Sequence, residues 1–489
     1  MLQQLDTADS VRREVAPRTA QKHKSELGQF MTPSSVARFM AGLFPPSTLQ
    51  TCRLLDAGAG VGALSCAFLD RWLAGGFGFK AVEATAYEVD EKLRVHLAQH
   101  LANYSKVKAE VIAGDYIELA TAEGLKSKGY THAILNPPYK KINSNSAHRL
   151  ALRSVGIETV NLYSAFVALA VAQAAPGGQI VAIIPRSFCN GPYYRPFRDF
   201  ILERAAIRHM HLFDSRNKAF KDDEVLQENV IIRLERGGQQ GPVTITTSTD
   251  DGFTDLATNE HPFDRIVFPD DPERFIHVPT TTEKSAIELS PAVRYTLADL
   301  GIKVSTGPVV DFRLKEQLRE MPEEGTVPLI YPGHLSITGT VWPVPGLKKP
   351  NAILRNAETE KWLYPNGFYC VVRRFSSKEE KRRVVASVVD PAAFGDHTVL
   401  GFENHMNLFH ENKRGLPELL ARGLAVFLNT TAVDESFRRF NGHTQVNATD
   451  LKLMKYPSRE ALIELGKWAK QHSDITQEMI DEQLGKLTA

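Results

Sequence analysis

The stretch CRLLDAGAGVGALSCAFLDRWL constrains the fold more than any other. Leu54 and Leu55 close a short apolar run, Asp56 follows, and Gly58, Gly60 and Gly62 lead into an amphipathic helix. A strand, a glycine loop and a helix in that order let a ligand approach the backbone closely, because glycine has no Cβ. The G-x-G-x-G spacing is not the G-x-G-x-x-G of dinucleotide folds, and no Gly-Lys-Ser/Thr closes it as in a P-loop. The rhythm then repeats. AVEATAYEVD reads as a strand ending at Glu88, KLRVHLAQHLANY as a helix, and AEVIAGDYIEL as a third strand ending at Asp115. THAIL is a fourth strand, stopped by Asn136-Pro137-Pro138-Tyr139. The alternation runs to about residue 236. It predicts an α/β fold, a Rossmann-like doubly wound sheet with helices on both faces.

Ligands of such sheets bind at the carboxyl ends of the strands. Three strands ending in acids beside a glycine loop therefore predict one pocket. The Gly58–Gly62 backbone would lie against a ligand's tail, with Asp56 just before it. Glu88, at the end of the second strand, is placed to accept from ribose hydroxyls, and Asp115 is placed for a base. Asp90 reads as a helix cap. Nothing suits a triphosphate, so an aminoacyl nucleoside such as S-adenosyl-L-methionine fits better than NAD or ATP. Upstream, GQFMTPSS precedes the helical run VARFMAGLF. Thr32 can be an N-cap with Pro33 the first helical residue, or the loop can bring both residues to the pocket.

Asn136-Pro137-Pro138-Tyr139 must be stiff and non-helical, since each proline lacks an N–H and biases the residue before it toward an extended conformation. Asn136 Oδ1 and the Pro137 carbonyl can both accept from an exocyclic NH₂, and Tyr139 offers a stacking face. A base inside a duplex reaches such a loop only when flipped out. Phe220, the lone aromatic of the polar segment RNKAFKDDEVLQ, can supply a second face. The polar, Ser/Asn-rich segment KKINSNSAHRLALRSVGIETV is expected to be a mobile loop.

From residue 250 to 300 prolines and acids become frequent and the alternation stops. We expect a boundary there, dividing a catalytic, cofactor-binding domain (1–280) from a C-terminal α+β domain (281–489). The net charge of +1 argues neither for nor against nucleic acid, so a polyanion would have to meet a local patch. Candidates are Arg373 and Arg374 beside Phe375, then Arg438 and Arg439 beside Phe440, Asn441 and His443. Arg and Lys bind phosphates, while Arg, Asn and Gln read base edges. Cys52, Cys66, Cys189 and Cys370 show no C-x-x-C spacing and read as reduced, buried thiols, with no metal site expected. No apolar run is long enough to span a membrane, and the charged N-terminal segment is not a signal peptide.

The succession GQFMTP, DAGAGVGALS, Glu88, Asp115, NPPY and the Phe220 loop, followed by a long C-terminal region, resembles the gamma-class N6-adenine DNA methyltransferases of type II restriction–modification systems. The resemblance is close over the N-terminal half and looser beyond it. It implies cofactor binding by Thr32 and Pro33, catalysis by Asn136, Pro137, Pro138 and Tyr139, and base stacking by Tyr139 and Phe220. It further implies a C-terminal target-recognition domain gripping double-stranded DNA, a cognate endonuclease as a separate protein, and a bacterial cytoplasmic setting. Release-factor glutamine methyltransferases also use NPPY and some RNA guanine methyltransferases use NPPF. The upstream GQFMTP and the long C-terminal region count against both. The intact NPPY and glycine loop count against a catalytically silent DNA-binding module.

Overall fold

A computed structural model describes residues 4–15, 31–122, 124–125, 128–213, 228–282, 287, 290–336, 339–376, 380–440 and 445–488. Phe220, Asn441 and His443 lie outside the described residues. The chain divides into two compact units, Met1–Thr282 and Glu283–Ala489.

The first unit is built on one sheet. Its strands are β1 (Thr51–Ala57), β2 (Ala81–Glu88), β3 (Val107–Ala113), β4 (Tyr130–Leu135), β5 (Ala174–Pro185), β6 (Ala205–Phe213), β7 (Asn229–Arg236), β8 (Val243–Ser248) and β9 (Ala257–His261). They lie in the order β3-β2-β1-β4-β5-β7-β6-β8-β9. The first five are parallel, and β7 runs antiparallel between β5 and β6. Parallel strands covered on both faces read as continuous apolar runs because each face needs its own core. Here Leu55, Ala57, Ala133, Leu135, Ile180 and Ala182 feed one core. Their neighbours Cys52, Leu54, Ile134, Val181 and Ile183 feed the other. The helices of the unit are α1 (Gln4–Val15), α2 (Ser34–Gly42), α3 (Ala63–Leu73), α4 (Glu91–Ala102), α5 (Tyr116–Ala122), α6 (Ala147–Ser154), α7 (Leu162–Gln173) and α8 (Arg195–Arg204). The first core is completed by α5, α7 and α8, the second by α1 to α4. The expected α/β sheet with helices on both faces is what forms.

Strand order reverses between β1 and β4, the topological switch point where such sheets hold ligands. That reversal puts the glycine loop after β1 next to NPPY after β4.

Two local expectations are overturned. Thr32 does not cap α2: Pro33 occupies the N-cap position at φ −61° and ψ 152°, with no side-chain cap. The segment after NPPY is not a mobile loop. Ile142 N–H donates to Val160 O at 2.8 Å and Leu162 N–H to Lys140 O at 2.8 Å, and Lys141 bridges Asn161. This strap then enters α6, capped by Ser146.

The second unit carries β10 (Lys303–Thr306), β11 (Leu318–Arg319), β12 (Thr326–Ile330), β13 (Ala352–Leu354), β14 (Leu363–Pro365), β15 (Tyr369–Arg373), β16 (Ala386–Val389), β17 (Val399–Phe402) and β18 (Met406–His410). One sheet is ordered β10-β18-β15-β16, another β11-β13-β12-β17-β14. The helices are α9 (Glu418–Leu428), α10 (Thr431–Phe440), α11 (Ala448–Leu453), α12 (Arg459–Lys470) and α13 (Gln477–Thr488). Helices α9 and α12 cross at glycines: a Cβ on Gly423 would fall 1.7 Å from Leu462 O, and one on Gly466 1.8 Å from Leu419 O.

Candidate active site

A cavity of about 340 Å³ opens at the β1/β4 switch point. Thr32, Gly58, Gly60, Glu88, Asp115, Asn136 and Pro138 line it. Pro33, Asp56, Gly62, Pro137 and Tyr139 do not.

The glycine loop is shaped by its neighbours. Gly58 and Ala59 N–H groups both donate to Tyr87 O at 2.9 Å. Gly60, at φ +57°, has nothing within 4 Å of where a Cβ would stand. Its N–H donates to Glu88 Oε2 at 2.8 Å, while Glu88 Oε1 accepts from Asp90 N–H at 2.8 Å. Glu88 thus ties the loop to β2, and burial raises its pKa. Asp90 caps α4 as expected, accepting from the amides of Lys92 and Leu93.

Asp56 lies under the loop, only 1% exposed. Its Oδ2 accepts from Ser65 Oγ at 2.6 Å and Ser65 N–H at 3.2 Å, fixing the start of α3. Its Oδ1 has no hydrogen-bond partner among the described residues. Burial pushes the carboxyl up to about 7, opposed by the Ser65 hydrogen bonds and assisted by the Glu88 charge. Asp115 sits at the start of α5, where Oδ1 accepts from Glu118 N–H at 3.0 Å.

Asn136 is held from two sides. Its Nδ2 donates to Thr32 Oγ1 at 2.9 Å, and its Oδ1 accepts from the Tyr139 hydroxyl at 3.2 Å. That hydroxyl is also 3.2 Å from Ile183 O. The Tyr139 ring packs edge-on against Tyr163, with centroids 6.3 Å apart, and burial raises its phenol pKa. Thr32 therefore orients the amide of Asn136, an arrangement no local pattern around Thr32 announces. Sequence reading also missed Phe166 and the strap residues Lys140, Lys141, Ile142, Asn143, Ser146 and His148, all in the cavity wall. The only available signal was Ser146 as a helix cap, three residues before Arg149.

In the second unit the basic candidates meet protein partners. Arg373 pairs with Glu380. Arg374 donates to Asn404 O and Gln445 Oε1, both at 3.2 Å. Phe375 pairs with Gln445 across an isolated bridge and is 41% exposed. Arg438 Nε donates to Asp434 Oδ2 at 2.7 Å.

The sheet order defines a doubly wound α/β fold with a cavity at the carboxyl ends of its strands, where such sheets hold ligands. A family model described as the Eco57I restriction-modification methylase matches residues 72–220. The type II methyltransferase M.BsuBI of Bacillus subtilis is 54% identical over 499 residues, covering 100% of this chain and 98% of that protein. The type II methyltransferase M.PstI of Providencia stuartii is 43% identical over 488 residues, covering 97% and 95%. This chain belongs to the type II methyltransferases of restriction–modification systems, enzymes of DNA methylation. Among solved structures, that of a DrdV–DNA complex shares the fold with a TM-score of 0.54 at 12% identity, over 96% of this chain and 59% of that one. Among the described residues no helix is long and apolar enough to cross a membrane.

Proposed function

We propose that the protein flips an adenine out of double-stranded DNA and transfers a methyl group from S-adenosyl-L-methionine to its N6. The observation that carries this reading is the Asn136 amide, pinned between Thr32 and Tyr139 in the wall of a cavity that also contains the glycine loop, Glu88 and Asp115.

The residues present fit the cofactor. The cavity is within the usual range for small-molecule sites, roughly 300–1,000 Å³. Open space at Gly60 suits close approach to the backbone. Beneath the loop, Oδ1 of Asp56 is a buried acceptor without a donor among the described residues, which a water between it and the cofactor would supply. Glu88 would meet ribose and Asp115 the adenine amine, with Thr32 and Pro33 near the amino-acid end. The cofactor supplies an electrophilic methyl group on a sulfonium sulfur.

The chain's own residues orient the target amine. Asn136 Oδ1 and the Pro137 carbonyl accept its two N–H bonds, which draws density onto nitrogen and turns its lone pair outward. Oδ1 has two lone pairs, so it can serve the target while the Tyr139 hydroxyl keeps the other. The new N–C bond would form as the S–CH₃ bond breaks with its electron pair kept by sulfur, and the amine, cationic once methylated, would then give its proton to water, so no strong base is required. Fixed acceptors and positioning carry the acceleration, and good orientation alone can account for roughly 7–11 kcal/mol. Tyr139 and Phe220 supply the stacking faces, about 1–3 kcal/mol per base. The second unit reads the target sequence, with Arg373, Arg374, Asn441 and His443 as candidate contacts. A separate endonuclease cuts unmethylated DNA, and the protein works on DNA in the bacterial cytoplasm.

The test is to sequence DNA from cells expressing the protein by a method that reports modified bases in place, beside DNA from cells lacking it. N6-methyladenine confined to one short sequence is expected. Methylated cytosine, or no methylated base, overturns the reading.

A further inference from the structure

Asp115 meets two elements. Its Oδ1 accepts from Glu118 N–H of α5 at 3.0 Å. Its Oδ2 lies 3.1 Å from Nε2 of His148, on α6. The two stand at ion-pair distance, and since a carboxylate only accepts, His148 can engage it only through a protonated ring nitrogen. Glu118 Oε1 is 4.0 Å from the same nitrogen. Both Asp115 and His148 line the cavity, with side chains 27% and 30% exposed. The strap does not depend on this contact for its place. It is paired to residues 160–162, and Arg149 and Arg153 both bond Glu158, at 2.8 and 2.6 Å through their Nε atoms.

We propose that His148 is a positioning residue that lets Asp115 read the base edge of the cofactor. Its imidazole N–H, with the Glu118 amide, fixes the carboxylate in one rotamer, ready to accept the exocyclic amine of an adenine. A base carrying a carbonyl at that position sets acceptor against acceptor and is refused. A carboxylate bound through one oxygen only can turn aside, so losing His148 costs selectivity as well as affinity. This rests on the reading of the cavity as the S-adenosylmethionine site.

The test titrates the full chain calorimetrically with S-adenosylhomocysteine and with S-inosylhomocysteine, in which a carbonyl replaces the adenine amine. Wild type is expected to prefer the adenosyl compound by about a hundredfold, as sites built to bond a polar group reject analogues that lack it. In His148→Ala, adenosyl binding weakens about tenfold and the preference falls to about tenfold, the scale of one hydrogen bond to a charged group. His148→Asn, whose amide can donate, recovers part of both. A His148→Ala protein with wild-type affinity and wild-type preference overturns the positioning role alone. A wild type that binds neither compound overturns the cavity assignment and this inference with it.

Discussion

Thr32 and Asn136 are 104 residues apart in sequence yet share a hydrogen bond, and Glu88 and Asp115 line the same cavity. In the second unit, Arg373, Arg374 and Arg438 were also singled out by residue type, but they meet Glu380, backbone carbonyls, Gln445 and Asp434. The difference lies in what placed them. A residue at the carboxyl end of a parallel strand is delivered to a common edge by the sheet, whatever lies between in sequence. A basic cluster has no such delivery, and its side chains settle on the nearest acceptor.

The sharpest way to break this contrast is Asn136→Ala. Loss of one fixed dipole at a reacting centre costs about 10²–10³ in rate, so single-turnover methyl transfer should fall by at least about 10²-fold while DNA binding in a gel shift persists. Undiminished transfer would deprive the strand edge of its special standing. Thr32→Val comes next. The isostere removes the Thr32 acceptor from Asn136 Nδ2 and loosens the amide. The single-turnover rate at saturating cofactor should drop about tenfold, a hydrogen bond's worth; a change in cofactor KM alone would leave Thr32 a cofactor ligand and nothing more.

Asp56 sharpens the comparison through pH. Its folded pKa is raised from 3.8 to about 7, mainly by burial. Between those values the folded chain holds a proton that the unfolded chain has released, so this group's contribution to stability declines as pH rises from about 4 to 7. Asp56→Asn cannot titrate and should flatten that slope in thermal melts taken across the window; an unchanged slope means the carboxyl does not carry the proton. The smallest effects belong to the second unit. Arg438→Ala should lower stability by about 1 kcal/mol, read by urea denaturation. Arg373→Ala should weaken DNA binding about threefold with a shallower salt dependence, a small loss because Glu380 shares its charge; unchanged binding would remove it from the candidate contacts.

Much of the first unit was legible because its central strands are buried on both faces and so stand out as apolar runs between helices. The glycine loop and the acids after it mark the edge directly. The strap was not legible. Asn143, Ser144 and Asn145 have loop composition, and α6 buries Leu152 alone, too little for a periodic signal. Thr32 was half-legible: Thr-Pro before a helix looks like a cap, and only the fold reveals that its oxygen serves a partner on β4's loop.

The crossing of α9 and α12 limits how the C-terminal unit can diverge. With carbonyl oxygens standing where a methyl would go, Gly423 and Gly466 admit not even alanine unless the helices are prised apart. Side chains facing solvent carry no such restriction. New surface chemistry in this unit has to be written around that fixed axle, which makes it the natural boundary to preserve when segments are exchanged between relatives.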